Sequence, residues 1–441
     1  MQNRAKMKSY NMQMRKIFIA MLLVLTMPAM AQRAKEEIKA DRNLAASNYL
    51  AYPGPKQKLT KAPEGYTPYY ISHYGRHGSR YLISPAQYSD AVNILAKADS
   101  LDKLSPRGHD VLDKVRMLAA EAQGRLGELT PLGAEQHRDI AHRMYMRFPQ
   151  VFNGNVHVDA RSTIVIRCIL SMGNELMELA RLNPRMVITS DASQHDMYYM
   201  NDEHGKYNKL RDTPEARQAL ADFNKNHENY SHLMGLLFND TAYAHTIDAN
   251  KLGQRLFDLA ANIQSTELRH KFSLWPIFTD KEVYDSWQRK NAMWYMYYGP
   301  SRQAHSYGLL TQANLLNNII TTADSCLLLQ HPGATLRFAH ESDVMPLVCL
   351  LNLNHYGETI DDLEQLDDRG WNNYDIYPMA CNVQFIFYKP NMATDLSKAD
   401  ILVKVLLNEN EAALPVSTDK APYYHWKDVR AYLLQRLDQL K

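Results

Sequence analysis

Three places in this sequence carry residues that can bind and transfer an anionic group. They are Arg76-His77-Gly78-Ser79-Arg80, Arg161 and His340-Glu341. A guanidinium group keeps its charge and binds a tetrahedral dianion through two N–H groups at once. A neutral imidazole is nucleophilic near neutral pH, and a carboxylic acid can protonate a leaving oxygen. This set of residues predicts phosphoryl transfer to a histidine, with arginines in place of metal ions.

Each of these places follows or lies in a short apolar run that is typical of a β-strand. The predicted strands cover residues 68–72, 156–160 and 336–339, and a helical pattern follows each of them. In α/β sheets, ligands bind at the carboxyl ends of the strands, where helix N-termini favour anions. The sequence therefore predicts an α/β fold with a mostly parallel sheet flanked by helices, and one site at its edge.

Taken singly, each motif also has a structural explanation. The Arg-His-Gly-x-Arg pattern could be a solvated loop, although it is expected by chance in only about one chain in a thousand. Arg161 alone is typical of a surface ion pair, and His340 alone of a hydrogen-bonded core histidine. Glu341 alone could stabilise the start of a helix. The grouping of the motifs at strand ends favours the functional interpretation.

Composition and pattern divide the chain into five parts. Residues 1–31 are predicted to be a signal peptide, and residues 32–67 a polar N-terminal arm. Residues 68–189 are predicted to form an α/β core with a helical insertion at about 86–149. Residues 190–300 are predicted to form a helical cap over the strand ends, and residues 301–441 the rest of the core. Late strands are expected at 382–389 and 401–407, and a terminal helix at 424–440.

The first 31 residues have the pattern of a secretory signal. They carry five basic and no acidic residues, an apolar run at 17–25, and Ala29-Met30-Ala31 before Gln32. A membrane anchor is the alternative, but the run has about half of the ~20 residues that a span needs. We therefore expect a secreted protein, periplasmic or extracellular, with no stable membrane span after cleavage. Cleavage would change the net charge from +2 to −3, a balance that argues against nucleic-acid binding.

The cysteines and histidines do not form a known metal-binding sequence motif. Four cysteines, Cys168, Cys326, Cys349 and Cys381, allow three disulfide pairings that the sequence does not rank, and free buried thiols are an equal alternative. No CxxC or HExxH motif occurs among the 441 residues. The sequence thus predicts no metal and no cofactor.

Four segments, in order along the chain, carry a family resemblance. Residues 74–80 resemble the signature of the histidine acid phosphatases, and residues 129–136 resemble its "LTxxGxxQ" segment. Residues 158–163, with Arg167 and Ser171, resemble its second arginine segment, and residues 338–341 its distal "HD" or "HAE" element. The Arg-His-Gly-Ser-Arg motif and the export signal are most similar to the multiple inositol polyphosphate phosphatase (phytase) branch. The matches extend from about residue 66 to the C-terminus, except in 190–300.

The resemblance implies roles for the matching residues. His77 would be the nucleophile and Glu341 the proton donor, while the phosphoryl oxygens would be bound by Arg76, Arg80, Arg161 and His340. Two departures stand out. Tyr81 and Leu82 replace the proline that often follows the second arginine, and His-Glu-Ser replaces the usual distal triplets.

Three residues after His340 compete for the role of proton donor. Ser342 is too weak an acid. Asp343 lies where an acid usually caps a helix and stays ionised. Glu341 stands where the "HD" enzymes keep their acid, so we assign the role to Glu341.

The resulting functional prediction is a secreted phosphomonoester hydrolase that acts through phosphohistidine. Its expected substrates are small phosphorylated molecules, above all inositol polyphosphates such as phytate. One alternative is a broad-specificity acid phosphatase acting on sugar phosphates or bisphosphoglycerate. Others are a phosphotransferase or mutase of the histidine phosphatase superfamily, and a catalytically dead anion-binding protein.

Overall fold

The centre of the protein is an eight-stranded β-sheet. A computed structural model describes residues 33–202 and 205–439. The strands are β1 (Tyr66–Arg76), β2 (His157–Ser162), β3 (Val187–Asp191), β4 (Gly333–Ala339), β5 (Asn382–Pro390), β6 (Leu402–Leu407), β7 (Asn410–Ala412) and β8 (Tyr424–His425). Their order is β3-β2-β4-β1-β5-β6-β7, and β8 pairs with β6. The β3-β2-β4-β1 half is parallel, and the remaining strands pair antiparallel.

Helices cover both faces of the sheet and fill the long connections between strands. Before β4 they are α1 (Arg33–Ala40), α2 (Ala86–Ser100), α3 (Pro106–Glu121), α4 (Pro131–Arg147), α5 (Pro149–Phe152), α6 (Ile166–Leu182), α7 (Met197–Met200), α8 (Lys206–Leu210), α9 (Pro214–Asn226), α10 (Ser231–Leu237), α11 (Thr241–Ala244), α12 (Ala249–Asn262), α13 (Asp280–Tyr298), α14 (Tyr307–Leu310) and α15 (Ala313–Cys326). After β4 they are α16 (Glu341–Leu350), α17 (Asn373–Ile376) and α18 (Trp426–Asp438). Residues Arg42–Tyr49 form a 3₁₀ segment after α1.

Alternating side chains of the strands build one apolar core on each face of the sheet. Ile71 of β1 and Phe338 of β4 face a core with α4 and α6. Tyr74 of β1 and Phe385 of β5 face the opposite core, which α15, α16 and α18 complete. This two-residue period is the one that a sheet buried on both faces requires.

A third apolar core lies away from the sheet and holds the N-terminal arm. Ile38 of α1 and Tyr49 of the 3₁₀ segment pack there with Leu95 of α2, Phe257 of α12 and Trp287 of α13. The arm is therefore fixed in the fold, because its apolar residues are buried with those of the helices between β1 and β4. The packing of the arm in this core places the 3₁₀ segment that begins at Arg42 next to the end of β1.

The predicted α/β class with a helix-flanked sheet is confirmed, the parallel strands being those that carry the three motifs, and most predicted elements agree with the observed ones to within a few residues. Three local features differ from what the sequence pattern predicts, which is no strand at 187–191, a helix cap at Ser162 or Thr163, and Pro346 in the first turn of its helix. Strand β3 was not predicted. Neither Ser162 nor Thr163 caps α6, which begins at Ile166 without a side-chain cap. Pro346 lies inside α16, beyond its first turn, where it leaves the carbonyl of Ser342 without a backbone donor.

The predicted signal peptide, residues 1–31, lies outside the described residues, and the division into arm, core and cap stays a prediction. Within the described residues, no helix is both long and apolar enough to cross a membrane. All four cysteines are free thiols, and Cys168, Cys349 and Cys381 are buried.

Candidate active site

Three neighbouring parallel strands bring the sequence motifs to one edge of the sheet. Arg76 at the end of β1 is in register with Ala339 at the end of β4. The N–H of His77 donates to the carbonyl of Ala339 over 3.0 Å, which continues the ladder one residue beyond β1. His77 and His340 therefore follow paired positions, and their ring centroids are 5.6 Å apart.

The loop after β1 is held by the helix that begins at Pro131. Gly78 and Gly133 are in backbone contact, since a Cβ on Gly78 would lie 2.4 Å from the carbonyl oxygen of Gly133. Thr130 caps α4 and donates through its N–H and hydroxyl to the carbonyl of Ser79. Gln136 accepts from the N–H of Ser79 over 2.9 Å. The segment that resembles "LTxxGxxQ" thus fixes the backbone of the Arg-His-Gly-Ser-Arg loop.

His77 presents one unprotonated nitrogen to the site. Its Nδ1 lies 2.9 Å from the carbonyl oxygen of Gly78. Because a carbonyl only accepts, Nδ1 carries the proton and Nε2 carries the lone pair. Nε2 is buried and has no hydrogen-bond partner among the described residues. Burial, followed by the charges of nearby arginines, holds the pKa of His77 well below its usual value of 6.5, so the ring stays neutral and nucleophilic.

The two arginines of the loop surround this nitrogen with positive charge. Arg76 is fully buried, and its Nη1 and Nη2 donate to the backbone carbonyls of Tyr377 and Asn48 at 3.0 and 2.8 Å. Its Nε is therefore the edge that faces the site. Arg80 donates through Nη1 to its neighbour's carbonyl, and its buried Nε has no hydrogen-bond partner within the described chain. The guanidinium of Arg80 lies 5.5 Å from the ring centre of Tyr49.

Glu341, the first residue of α16, extends into this cluster. Its Oε2 lies 2.9 Å from Arg76 Nε and 3.7 Å from His77 Nε2, and its Oε1 lies 3.9 Å from Arg80 Nη2. Burial alone would raise the pKa of Glu341, but the charges of Arg76 and Arg80 outweigh it and lower the pKa to about 2. The carboxylate thus occupies the place that an anionic ligand would take beside His77.

His340 and Asp343 flank the glutamate. Nδ1 of His340 accepts from Nη2 of Arg167 at 3.4 Å, and its Nε2 lies 3.3 Å from Oγ1 of Thr163. Burial, then the charge of Arg167, lowers the pKa of His340 to about 3, so this ring is neutral too. Asp343 accepts from the N–H of His340 at 3.2 Å, as a helix cap does.

The third arginine of the cluster is Arg167 rather than Arg161. Arg161 is partly exposed, and its guanidinium pairs with Asp159 at 2.9 Å and with Asp196 at 3.5 Å. The structure therefore does not bring Arg161 to His77. Arg167, in the first turn of α6, contacts His340, and its charge is one cause of the low pKa of His77. Its buried Nε has no hydrogen-bond partner in the described part of the chain.

A signal for Arg167 was present in the sequence. Arg167 and Ser171 are four residues apart in a helix and so lie on one face of it. The Ser171 hydroxyl accepts from the N–H of Gly78 at 3.1 Å, so this face points at the catalytic loop. Asn48, in contrast, comes from the arm, where no motif marks it.

The cluster also contains a possible metal-ligand set. Ligand atoms of His77, His340 and Glu341 lie within 4.8 Å of one another, and they are the one such group that the described residues form. Three guanidinium groups surround them, and the repulsion between these groups and a cation favours an anion in the same space.

Most of this arrangement lies in a segment that matches a family model. Residues 75–408 match the model described as the histidine phosphatase superfamily, branch 2. The chain belongs to the histidine phosphatase superfamily. The resemblance of the sequence motifs is thereby confirmed, and the chain is a phosphatase of the histidine type. A search of curated proteins gave no significant match.

Solved structures with this histidine phosphatase fold include three informative neighbours. Bifidobacterium longum multiple inositol polyphosphate phosphatase with inositol hexasulfate has a TM-score of 0.71 and 18% identity, covering 88% of this chain and 97% of that chain. The phytase from D. castellii has a TM-score of 0.63 and 15% identity, covering 90% and 85%. Hafnia alvei phytase with tartrate has a TM-score of 0.53 and 13% identity, covering 85% and 98%. At these identities the likeness shows the fold.

Proposed function

We propose that this phosphatase hydrolyses phosphate monoesters through a phosphohistidine at His77. The observation that carries the proposal is the unpartnered Nε2 of His77, which lies beside the guanidinium groups of Arg76, Arg80 and Arg167. Those groups match the three equatorial oxygens of a phosphoryl group in transfer. The proposal gives Arg167 the phosphate-binding role that the sequence resemblance gave to Arg161.

The reaction has two steps. In the first, His77 Nε2 attacks phosphorus, the P–N bond forms as the P–O bond to the leaving group breaks, and Glu341 gives its proton to the leaving oxygen. In the second, Glu341 takes a proton from water, the water oxygen attacks phosphorus, and the P–N bond breaks. A phosphate that binds Arg76 displaces the Glu341 carboxylate from it, which raises the pKa of Glu341 and allows it to carry the proton.

We infer that the substrates are inositol polyphosphates, phytate among them. One structural neighbour is named a multiple inositol polyphosphate phosphatase, and two others are phytases. A cavity of about 380 Å³ lies beside the first turn of α16, where Ser342 and Asp343 line it, and Lys209, Arg211 and Asp202 line its other side. The cations can bind phosphate groups that do not react. Nη1 of Arg211 is buried and has no hydrogen-bond partner among the described residues.

A phosphate-release screen tests the proposed function. Phytate, a sugar phosphate, a nucleotide and p-nitrophenyl phosphate are compared with wild type and with His77→Ala. We expect the highest kcat/KM with phytate, loss of activity in His77→Ala, and acid-quench trapping of phosphate on His77 of the wild type. Label on Ser79, or an active alanine variant, would contradict the mechanism. Equal kcat/KM on all substrates would instead support a broad-specificity acid phosphatase.

Paired variants test the substrate class separately. Lys209→Ala and Arg211→Ala should raise KM for phytate and leave KM for p-nitrophenyl phosphate unchanged, because only phytate has non-reacting phosphates. Lys206→Ala is the matched control on the same helix, since its ammonium lies over Tyr207. Unchanged KM for phytate in both test variants would exclude this cavity as the binding place.

We also propose that the protein is exported, on the basis of the charge pattern, apolar run and Ala29-Met30-Ala31 sequence described above. Mass spectrometry of the N-terminus after expression in a bacterium with a periplasm should find Gln32 as the first residue. An intact N-terminus in the cytoplasmic fraction would contradict export.

A further inference from the structure

The predicted polar arm contributes a residue to the centre of the site. Asn48 lies at the end of the 3₁₀ segment Arg42–Tyr49. Its side-chain Nδ2 donates to Oε1 of Glu341 at 3.1 Å, and its backbone carbonyl accepts from Nη2 of Arg76 at 2.8 Å. One residue of the arm therefore contacts both the proposed proton donor and an arginine of the catalytic loop.

An unusual backbone conformation points Asn48 into the site. Ser47 has φ 57° and ψ −124°, a region that residues other than glycine seldom adopt. The conformation is maintained because Ser47 is fully buried and its hydroxyl accepts from Nδ2 of Asn373 at 3.0 Å. Its carbonyl accepts from the N–H of Leu50 at 3.1 Å. The turn at Ser47 is thus fixed by its surroundings.

The amide of Asn48 decides which oxygen of Glu341 can carry a proton. An amide NH₂ group only donates, so the oxygen it faces, Oε1, must accept. When the carboxyl group is protonated, the proton therefore resides on Oε2. Oε2 faces the space beside His77 in which the phosphoryl group would lie, 3.7 Å from Nε2, whereas Oε1 faces Asn48.

We expect the hydrogen bond from Asn48 to Glu341 to persist when a bound phosphoryl group replaces the contacts of Glu341 with the arginines. A bound phosphoryl group takes Arg76 Nε and the free donors of Arg80, which hold the carboxylate in the structure. Asn48 keeps its position, because Arg76 holds its backbone carbonyl through a different atom, Nη2. Asn48 is then the side chain that still donates a hydrogen bond to the glutamate carboxylate, beside the backbone N–H of Glu341 itself.

We propose that Asn48 is a positioning residue for the proton donor: its amide fixes the Glu341 carboxyl so that the acidic proton on Oε2 points at the leaving oxygen. This inference rests on the proposed function, in which Glu341 is the acid. It assigns a role in proton transfer to a residue 293 positions away in the sequence.

Leaving-group selectivity tests the proposal. The alkyl ester glycerol 2-phosphate needs a proton on its leaving oxygen, whereas p-nitrophenolate leaves without one. Asn48→Ala should lower kcat for glycerol 2-phosphate by roughly tenfold, as a misplaced acid does, and change kcat for p-nitrophenyl phosphate by less than about twofold. Retained activity on p-nitrophenyl phosphate would show that the variant is folded, and the contact to Arg76 uses the backbone carbonyl of residue 48, which Asn48→Ala leaves in place.

The pH profile supplies a readout that a purely structural role would not change. Asn48→Asp places a second carboxylate against Glu341, and like charges raise the pKa of the acid. We expect the alkaline limb of kcat for glycerol 2-phosphate to move to higher pH in Asn48→Asp. Asn43→Ala, in the same 3₁₀ segment, is the matched control, since its side chain binds Trp275. Asn43→Ala should keep the leaving-group selectivity of the wild type, and the alkaline limb of its pH profile should stay at the same pH.

The outcomes separate the two proposals. The role of Asn48 alone is overturned if the wild type is active but Asn48→Ala loses kcat equally on both substrates and the alkaline limb of the pH profile does not move in Asn48→Asp. A wild type that releases no phosphate from any ester overturns the proposed function itself.

Discussion

Glu341 forms an ion pair with Arg76 across the site, with Oε2 of the carboxylate 2.9 Å from Nε of the guanidinium. The carboxylate and a substrate phosphate would therefore compete for one cation. This competition couples binding to acid–base chemistry, because the pKa of Glu341, lowered to about 2 by Arg76 and Arg80 against the effect of burial, rises when phosphate takes those charges.

Glu341→Gln should separate binding from proton transfer. The amide does not compete for Arg76 as a carboxylate does, so inorganic phosphate should inhibit the variant at lower concentration than the wild type. The variant has no acid, so kcat for phytate should fall by ~100-fold or more, and kcat for p-nitrophenyl phosphate much less. Inhibition constants and steady-state rates on both substrates measure this.

Asp343→Asn is the control for that experiment. Asp343 caps α16 by accepting from the His340 N–H, so its loss should lower stability by ~1 kcal/mol and affect both substrates about equally. If the asparagine variant showed the leaving-group selectivity and Glu341→Gln did not, Asp343 would be the proton donor.

Lysine substitutions of Arg167 and Arg161 should have opposite effects on kcat/KM: a large loss for the first and little change for the second. Arg167→Lys should lower kcat/KM by ~100-fold, since a lysine cannot reproduce two directed donors at an oxyanion. Arg161→Lys should change kcat/KM little, because Arg161 already pairs with Asp159 and Asp196. Steady-state kinetics on one substrate decides between them. A large loss in Arg161→Lys with an active Arg167→Lys would restore the assignment made from the sequence motif.

The buried His73 should make the protein sensitive to acid. Burial is the main cause that lowers its pKa to about 4, and neither ring nitrogen has a hydrogen-bond partner among the described residues. The unfolded chain takes up a proton as pH falls below 6.5, but the folded protein does so only near 4, so stability is lost across that interval. The free energy of unfolding should fall by about 2 kcal/mol from this residue between pH 7 and pH 5.

Denaturant titrations of His73→Phe at both pH values measure this loss. The variant should lose about 2 kcal/mol less than the wild type between pH 7 and pH 5, because phenylalanine does not titrate. His245→Phe, at an exposed position, should lose as much as the wild type. An equal loss in wild type and His73→Phe would show that other groups cause the acid sensitivity.

Chelation should leave the rate unchanged. In the proposed mechanism, arginines supply the charge that metal ions supply in other phosphatases. Phosphate release should therefore be the same before and after dialysis against EDTA. A large loss that Mg²⁺ or Zn²⁺ restores would mean that His77, His340 and Glu341 hold a metal ion.

The sequence predicted the parts of the site that lie in one continuous motif. Arg76, His77 and Arg80 follow a strand whose apolar pattern is clear, so their place at its carboxyl end could be derived. Arg161 was assigned to the site because its segment resembles the family's second arginine segment and because it lies at a strand end. Periodicity could not show that the chain runs four residues further before α6 begins, which brings Arg167 into the cluster.

The parts of the site and of the fold that the sequence did not predict depend on contacts between segments far apart in the chain. Asn48 lies in a polar arm without a motif, and its position is set by burial of the arm against α2, α12 and α13. Strand β3 was missed because its side chains are mostly exposed and it is only five residues long. Its pairing with β2, rather than its own apolar pattern, makes it a strand.

The guanidinium of Arg76 binds two carbonyls, one 28 residues before it in the chain and the other 301 residues after it. A growing chain that ends before Tyr377 has no second carbonyl to orient this arginine, and one that ends before Glu341 lacks the acid. In the proposed mechanism, the set of catalytic residues and the contacts that orient them are therefore complete only when almost the whole chain has been synthesised.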